Sequence, residues 1–231
     1  MSNPVKPTLK SEIFPMLLIL VTMIASIYFY FNLPDRIPVH WNFAGGVDRY
    51  GSGKTQSILF PIMIIGMYLL FLFLPYIDPK KERYEQFTKT YNIFRYIILF
   101  VLVLIYFAAS LSGLGYNLRI DLLVPALIGL MFIAMGNYMG KIKSNWFVGI
   151  RTPWTLSSEE VWNKTHRFGG KVFMLAGALI FLEGFLPFSW RLPIFILAMV
   201  TVLIGTIGSS YIFYLSEKKK NKNDDNIKNN K

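Results

Sequence analysis

Long uncharged stretches recur along the chain and are separated by polar segments. Six of them are long enough to cross a bilayer: residues 13–33, 56–77, 96–118, 122–140, 172–190 and 192–216. A helix rises about 1.5 Å per residue, so about 20 apolar residues cross a hydrocarbon core of about 30 Å. The stretches lack the two-residue alternation of barrel strands. The pattern therefore predicts an all-α polytopic membrane protein with six transmembrane helices.

The composition supports this prediction. Hydrophobic residues make up 54% of the 231 residues, charged residues make up 16%, and the mean hydropathy is +0.43. A soluble domain has about 25% charged residues, so this chain has too little charge for a surface in water. It contains no cysteine, which excludes disulfides, a thiolate nucleophile and cysteine-based metal sites. The low share of charged residues and the long apolar stretches exclude a soluble globular enzyme.

Lys and Arg are distributed unevenly between the two sides of the predicted bundle. With six helices, the N-terminus, residues 78–95, residues 141–171 and the C-terminal tail share one side, which carries 19 of the 24 Lys and Arg residues. The positive-inside rule therefore predicts that both termini are cytoplasmic. The net charge of +11 then indicates contact with anionic membrane lipids and not direct binding of nucleic acid.

The chain divides into five predicted parts. We expect the first span and an extracytoplasmic Pro/Gly loop in 1–55, three spans in 56–140, a cytoplasmic segment with an interfacial helix in 141–171, two spans in 172–216 and a disordered basic tail in 217–231. The tail has almost no apolar residue to bury. Long ordered loops often carry function, so the first loop and residues 141–171 are the candidate functional regions.

The first long loop combines prolines, which restrict the backbone, with glycines, which permit tight turns. We expect a compact loop on the outer side. It either receives a ligand from outside or packs as a lid on the helix ends. Its candidate ligand-facing residues are Pro38, His40, Trp41, Asn42, Gly45 and Asp48.

Residues 141–171 contain a start signal for a helix. Ser157 and Glu160 have capping-box spacing, which predicts a helix from about residue 158, with Trp162 and His166 on one face. Arg151 stands in a Gly-Ile-Arg-Thr-Pro-Trp turn, where its guanidinium suits a lipid phosphate or a docking partner. The candidate partner-site residues are Asn145, Gly149, Arg151, Thr152, Pro153, Trp154, Trp162, His166 and Arg167.

Glu183 is the one ionisable residue inside the six stretches. Carboxyl groups at membrane depth are costly and often functional. Two interpretations remain open from the residues: a protonated or hydrogen-bonded structural carboxyl near Arg191 or Arg119, and a group that handles a substrate or a proton.

No enzyme motif is present in the sequence. The metalloprotease, nucleophile-elbow and P-loop patterns are all missing, and we predict no enzymatic activity, no cofactor and no metal site. An intramembrane enzyme using His166 and Glu160 is disfavoured because these residues fall on opposite faces of the predicted helix.

Both loops resemble parts of a known family. The segment with Asn145, Gly149-Ile150-Arg151-Thr152-Pro153-Trp154, Trp162 and His166-Arg167 resembles the signature of the SdpI family, and the first loop resembles the uncharacterised domain that often precedes it. The resemblance implies a bacterial cytoplasmic-membrane protein that gives immunity to a secreted, membrane-active peptide toxin. It also implies a sensor that recruits a cytoplasmic transcriptional repressor in the founding system of the family. The alternative from the residues is a small-molecule or lipid transporter that uses Glu183.

Overall fold

The chain folds into a bundle of long helices with one small hairpin, in a computed structural model that describes residues 4–229. The elements in chain order are α1 (Leu9–Asn32), β1 (Ile37–Trp41), β2 (Val47–Gly51), α2 (Gly53–Ile77), a 3₁₀ helix (Lys81–Gln86), α3 (Thr88–Gly113), α4 (Ile120–Met139), α5 (Pro153–Ser157), α6 (Glu159–Glu183) and α7 (Phe188–Asn229). The predicted helical class is confirmed. The two short strands, which pair antiparallel, are an addition to it.

Within residues 4–229, five helices are long and apolar enough to cross a membrane, namely α1, α2, α3, α4 and α7. Large apolar side chains on them are exposed, such as Leu20 and Ile24 on α1, as expected of surfaces that contact lipid. Helix α6 corresponds to the predicted fifth span but begins with a charged half and is not among the five. The count of six spans and the cytoplasmic position of both termini therefore remain predictions.

The boundary between α6 and α7 differs from the prediction. The sequence pattern suggested a span over 172–190 that is joined to the next span by Arg191 alone. Instead, α6 runs without interruption from Glu159 to Glu183, and Arg191 lies inside α7. Pro187 stands immediately before α7, and proline disfavours helical backbone in the residue that precedes it. The turn between the two helices therefore falls before the predicted position.

The tail also differs from the prediction of disorder. Helix α7 continues through it to Asn229, and residues 230–231 lie outside the described part of the chain. Lysine and glutamate favour helix, and extending a helix that already exists requires no new nucleus. With its 42 residues, α7 is about 63 Å long at 1.5 Å per residue. It is therefore about twice as long as a hydrocarbon core is thick.

Helices α4 and α6 are in direct backbone contact. A Cβ atom on Gly129 would lie 2.6 Å from the carbonyl oxygen of Gly177, and one on Gly136 would lie 2.5 Å from that of Gly170. On each helix the two glycines in this contact are seven residues apart, and therefore on the same face. Small residues allow membrane helices to approach closely. This glycine seam makes α4 and α6 a tightly packed pair.

The two ends of the bundle differ, and we name them by their contents. The hairpin end carries β1 and β2, where Ile37 is fully buried in a cluster with Leu33 and Val103. The signature end carries residues 141–171, where Trp162 and Tyr84 are fully buried in a second cluster. The hydrophobic clusters thus attach both predicted loops firmly to the helices.

Candidate functional site

The first loop is a hairpin whose turn is held by Asn42. The Asn42 Oδ1 atom accepts hydrogen bonds from the backbone amides of Ala44 and Gly46, each at 3.0 Å. Gly45 has a φ of 83°, a left-handed conformation that favours glycine. A Cβ at Gly45 would lie only 2.9 Å from the Cβ of Asp121 on α4. Asn42 and Gly45 therefore shape the turn and allow it to pack on a helix end, as the lid interpretation expects.

His40 and Asp48 face each other across the hairpin. The His40 Nδ1 atom lies 2.5 Å from Asp48 Oδ1, and their side chains are 54% and 42% exposed. Pro38 lies opposite Tyr50 in the strand register. The His40–Asp48 pair is thus exposed to solvent at the hairpin end.

Arg191 connects the hairpin to two helices. Its Nη1 atom donates to the carbonyl oxygen of Phe43 at 3.2 Å and to Asp121 Oδ2 at 2.9 Å. Its Nε and Nη2 atoms donate to the carbonyl oxygens of Leu186 and Gly184 at 3.1 and 3.3 Å. The guanidinium is therefore already occupied by one carboxylate and three backbone carbonyls.

A cavity of about 500 Å³ lies beneath the hairpin. Four of the predicted outer-loop residues line it: His40, Trp41, Asn42 and Asp48. Much of the remaining wall is apolar and comes from α3, α4, α6 and α7: Ile105, Ile120, Val124, Pro125, Ile128, Ile180 and Phe195. An apolar cavity with a few convergent polar groups is the usual form of a ligand site. Pro38 and Gly45 are not among its lining residues.

Glu183 lines the same cavity from the end of α6. It is 2% exposed, and its Oε2 atom has no hydrogen-bond partner among the described residues 4–229. The arginines near it are engaged elsewhere, since Arg191 and Arg119 both donate to Asp121. No hydrogen bond joins Glu183 to either arginine among the described residues. A protonated structural carboxyl and a group that handles a substrate or a proton both stay predictions.

At the signature end, Asn145 folds the segment on itself. Its Oδ1 atom accepts from the amides of Phe147 and Val148 at 2.9 and 2.7 Å, and its Nδ2 atom donates to the carbonyl oxygens of Lys143 and Val148. Asn145 is completely buried. This predicted partner-site residue therefore acts as an internal brace.

Asp78 anchors the same segment, although the sequence analysis did not select it. Its Oδ2 atom accepts from the amide of Trp146 at 2.9 Å and from the hydroxyl of Tyr84 at 3.0 Å. Burial and the charge of Asp78 raise the pKa of Tyr84, so its hydroxyl remains a donor. The sequence feature that could have indicated this role is an aspartate next to a proline, directly after a long apolar stretch.

His166 and Trp162 form the centre of the signature end. Their rings stack with centroids 4.0 Å apart, and both residues are fully buried. The His166 Nδ1 atom donates to the carbonyl oxygen of Trp162 at 2.8 Å, and Nε2 accepts from the amide of Ile150 at 2.9 Å. This arrangement requires a neutral imidazole. His166 lies in the charged first half of α6, outside its apolar part, and burial lowers its pKa to about 4.

Gly149 is required by this arrangement. Its φ is 116°, and a Cβ there would clash with His166 Nε2. The helix predicted in this region is present: α6 begins at Glu159, with Ser158 as its N-cap. The start lies one residue beyond the predicted position.

The Thr-Pro-Trp part of the segment is a short helix held against α7. Thr152 caps α5, accepting from the Thr155 amide at 3.2 Å, and Pro153 is the first helical residue. Thr152 also hydrogen-bonds Ser210 on α7 at 3.1 Å. The indole of Trp154 packs on the ring of Tyr211, 4.9 Å between centroids.

Two charged members of the predicted partner site remain on the surface. Arg151 and Arg167 are exposed, and the guanidinium of Arg151 donates to the carbonyl oxygen of Trp146 at 3.0 Å. The indole of Trp146 is exposed as well. A surface for a partner at this end would therefore be built from these residues, and not from the buried Asn145 and His166.

A buried ion pair near the signature end was not predicted from the sequence. Arg95 Nη2 lies 2.7 Å from Glu12 Oε1, and the Arg95 side chain is 1% exposed. The Tyr68 hydroxyl donates to Glu12 Oε2 at 3.0 Å. Glu12 and Arg95 border two of the predicted spans. Helices α1 and α3 begin before those spans, so both residues lie inside helices. The sequence feature that could have indicated this ion pair is the presence of opposite charges next to two apolar stretches on the same predicted side of the membrane.

Within residues 4–229, no group of three or more His, Asp or Glu residues is placed to hold a metal ion.

Comparisons with known proteins find matches over most of the chain. A family model described as the SdpI/YfhL protein family matches residues 141–211, and one described as a domain of unknown function, DUF1648, matches residues 17–65. The protein named Immunity protein SdpI from Bacillus subtilis (strain 168) is 30% identical over 207 residues, which cover 89% of this chain and 97% of that protein. No solved structure matches.

Proposed function

This chain belongs to the SdpI/YfhL protein family, and on that premise we propose that it is an immunity protein against a secreted, membrane-active peptide toxin. It is a multi-pass protein of the cell membrane. The likeness to an immunity protein extends over nearly the full length of both chains, so the hairpin and the signature segment both lie within it.

In this proposal the toxin binds at the hairpin end. The observation that carries it is the cavity beneath the hairpin, which brings together His40, Trp41, Asn42 and Asp48. A membrane-active peptide has apolar side chains, and the cavity wall is largely apolar. The uneven distribution of Lys and Arg predicts that this end faces outward, the side from which a secreted peptide arrives.

We propose further that the signature end senses the bound toxin and recruits a cytoplasmic partner, which in the family's founding system is a transcriptional repressor. A physical connection supports this. Arg191 holds the hairpin turn near the start of α7, and Tyr211, further along the same helix, packs on Trp154 at the signature end. A signal along α7 requires that the toxin bind two arrangements of the bundle with different affinity.

Survival of a toxin-sensitive bacterium that expresses the chain tests the immunity function. We expect protection by the wild type against a secreted peptide of this kind, and its loss in W41A and H40A at equal membrane abundance. R49A is the matched control, because Arg49 lies opposite His40 in the hairpin but does not line the cavity. Absence of protection by the correctly inserted wild type would refute the function. Equal protection by all the variants would refute the site.

The sensing half has its own test. Replacing the exposed Arg151 by alanine should reduce recruitment of the partner to the membrane, while protection against the toxin is kept. The W162A variant is unsuitable for this test because it would remove a buried structural residue. K164A is the surface control on α6, since Lys164 is exposed and pairs only with Glu160 at 2.6 Å among the described residues. Recruitment unaffected by R151A would remove this residue from the proposal.

Transport of a small molecule or lipid is the second candidate, because Glu183 has a free carboxyl oxygen in the cavity. Against it, the backbone contact of α4 with α6 leaves no passage between these two helices. Vesicles that contain the protein decide between the candidates: gradient-dependent uptake that is lost in E183Q would favour transport over immunity by binding.

A further inference from the structure

The unpaired carboxyl of Glu183 gives the cavity a chemical preference that its apolar wall alone would not have. A buried carboxyl oxygen without a donor loses its hydration and gains nothing in return. Among the described residues, Oε2 is in this position, and the residue faces a cavity of about 500 Å³. The described wall of the cavity therefore lacks one hydrogen-bond donor for the Glu183 Oε2 atom.

The other charged groups of the cavity determine which kind of donor fits. Arg191 already makes four hydrogen bonds, to Asp121 and to three backbone carbonyls, and its charge is paired with that carboxylate. Asp121 is compensated by two arginines. Asp48 adds a second carboxylate at the rim, in contact with His40. The cavity thus has acceptors to offer and no free cation among the described lining residues.

We propose that the cavity binds a primary ammonium group carried on an apolar chain, with the ammonium on Glu183 and the chain against the wall formed by Ile105, Ile128, Ile180 and Phe195. An ammonium has three donors and no acceptor, which suits an acceptor-only site, and charge-assisted hydrogen bonds are the stronger ones. If the proposed immunity function holds, the ammonium is a lysine or the N-terminus of the toxin. The other source of the same chemistry is the headgroup of phosphatidylethanolamine.

Binding of hexylamine to the full-length protein in phosphatidylcholine nanodiscs tests this proposal. Phosphatidylcholine has no primary amine to compete. Hexylamine and 1-hexanol are titrated separately while tryptophan fluorescence is recorded, and the W41F variant identifies the part of the signal that comes from the cavity. We expect hexylamine to bind at least about tenfold more tightly than hexanol.

E183Q and D48N identify the carboxyl that binds the amine. E183Q should abolish the preference for hexylamine while its affinity for hexanol stays within about twofold, which shows that the cavity is intact. D48N should keep the preference, because Asp48 is exposed at the rim. Equal binding of amine and alcohol by the wild type, an unchanged preference in E183Q, or its loss in D48N would each overturn the proposal.

A lipid arm of the experiment distinguishes the two sources. Nanodiscs that contain phosphatidylethanolamine should leave hexylamine binding unchanged if the peptide is the source, whereas a weakening of about tenfold would assign the site to the lipid headgroup. The outcome is separable from that of the immunity function. Protection without an amine preference refutes this inference alone, and an amine preference without protection refutes the immunity function alone.

Discussion

Arg191 and Arg119 donate to the same oxygen of Asp121, at 2.9 and 3.0 Å, from opposite environments. The side chain of Arg191 is 10% exposed, whereas that of Arg119 is 66% exposed. A buried charge pair is costly to break because the remaining charge stays buried, and an exposed pair contributes little. The two arginines therefore form a natural internal comparison at the hairpin end.

We predict that R191Q lowers the free energy of unfolding by about 3 kcal/mol, and that R119Q leaves it almost unchanged because its ion pair is exposed. Thermal unfolding in detergent, followed by tryptophan fluorescence, measures both. R191Q should also release the hairpin turn from the carbonyl of Phe43, which increases proteolysis of the loop. Equal losses for the two variants would contradict the assignment of Arg191 as the connector.

The glycine seam predicts a contrast between two positions. G177A should reduce stability by about 1–3 kcal/mol, because the added methyl group meets the backbone of α4. G208A is the control: nothing lies within 4 Å of its added Cβ, and alanine favours helix over glycine, so its melting temperature should be unchanged or slightly higher. If G177A melts together with the wild type, α4 and α6 do not pack as closely as described.

The neutral state of His166 predicts an acid-sensitive signature end. Its pKa is lowered from 6.5 to about 4 on burial, so the unfolded chain binds a proton that the folded chain does not. Its contribution to stability is complete above about pH 6.5 and is lost progressively as the pH falls towards 4, which amounts to about 2 kcal/mol at pH 5.

Unfolding measured at pH 7.5 and pH 5 checks this prediction. In H166Q the glutamine can still accept from the amide of Ile150 but does not titrate in this range. The loss of stability between the two pH values should therefore be smaller in H166Q than in the wild type. An identical loss in both proteins would show that other groups are responsible.

The buried pair of Glu12 and Arg95 predicts strong non-additivity. E12Q and R95M should each cost about 3 kcal/mol, because each leaves a buried partner without its counter-charge, whereas the double variant should cost much less than the sum of the two. The exposed pair of Glu160 and Lys164 is the control, and E160Q should leave the free energy of unfolding almost unchanged. Additive losses at Glu12 and Arg95 would show that the two residues are not coupled.

The helices were predictable because their apolar stretches are long, and a stretch of that length has few alternatives in lipid. The boundaries were less so. Helices α1 and α3 extend past their apolar parts to include Glu12 and Arg95, because a helix continues as long as its backbone can hydrogen-bond. Hydropathy alone does not predict that charged residues next to a span can pair with each other and be buried inside a helix.

The candidate site was predictable in part. The turn chemistry of the first loop indicated a compact structure, and His40, Trp41, Asn42 and Asp48 do meet at one cavity. The motif around residues 145–167 was recognisable, but its residues do not act alike. Asn145 and His166 are buried braces, while Arg151 is exposed. A linear pattern does not distinguish a side chain that maintains the fold from one that meets a partner.

The hydrogen bond from Arg191 to the carbonyl of Phe43 joins residues 148 positions apart in the chain. The ribosome synthesises the hairpin long before α7, and Phe195 of α7 also forms part of the cavity wall. The cavity is therefore unfinished until α7 has been made and has entered the bilayer. A chain without α7 would have the hairpin without its anchor, so the arrival of α7 controls when the cavity first exists.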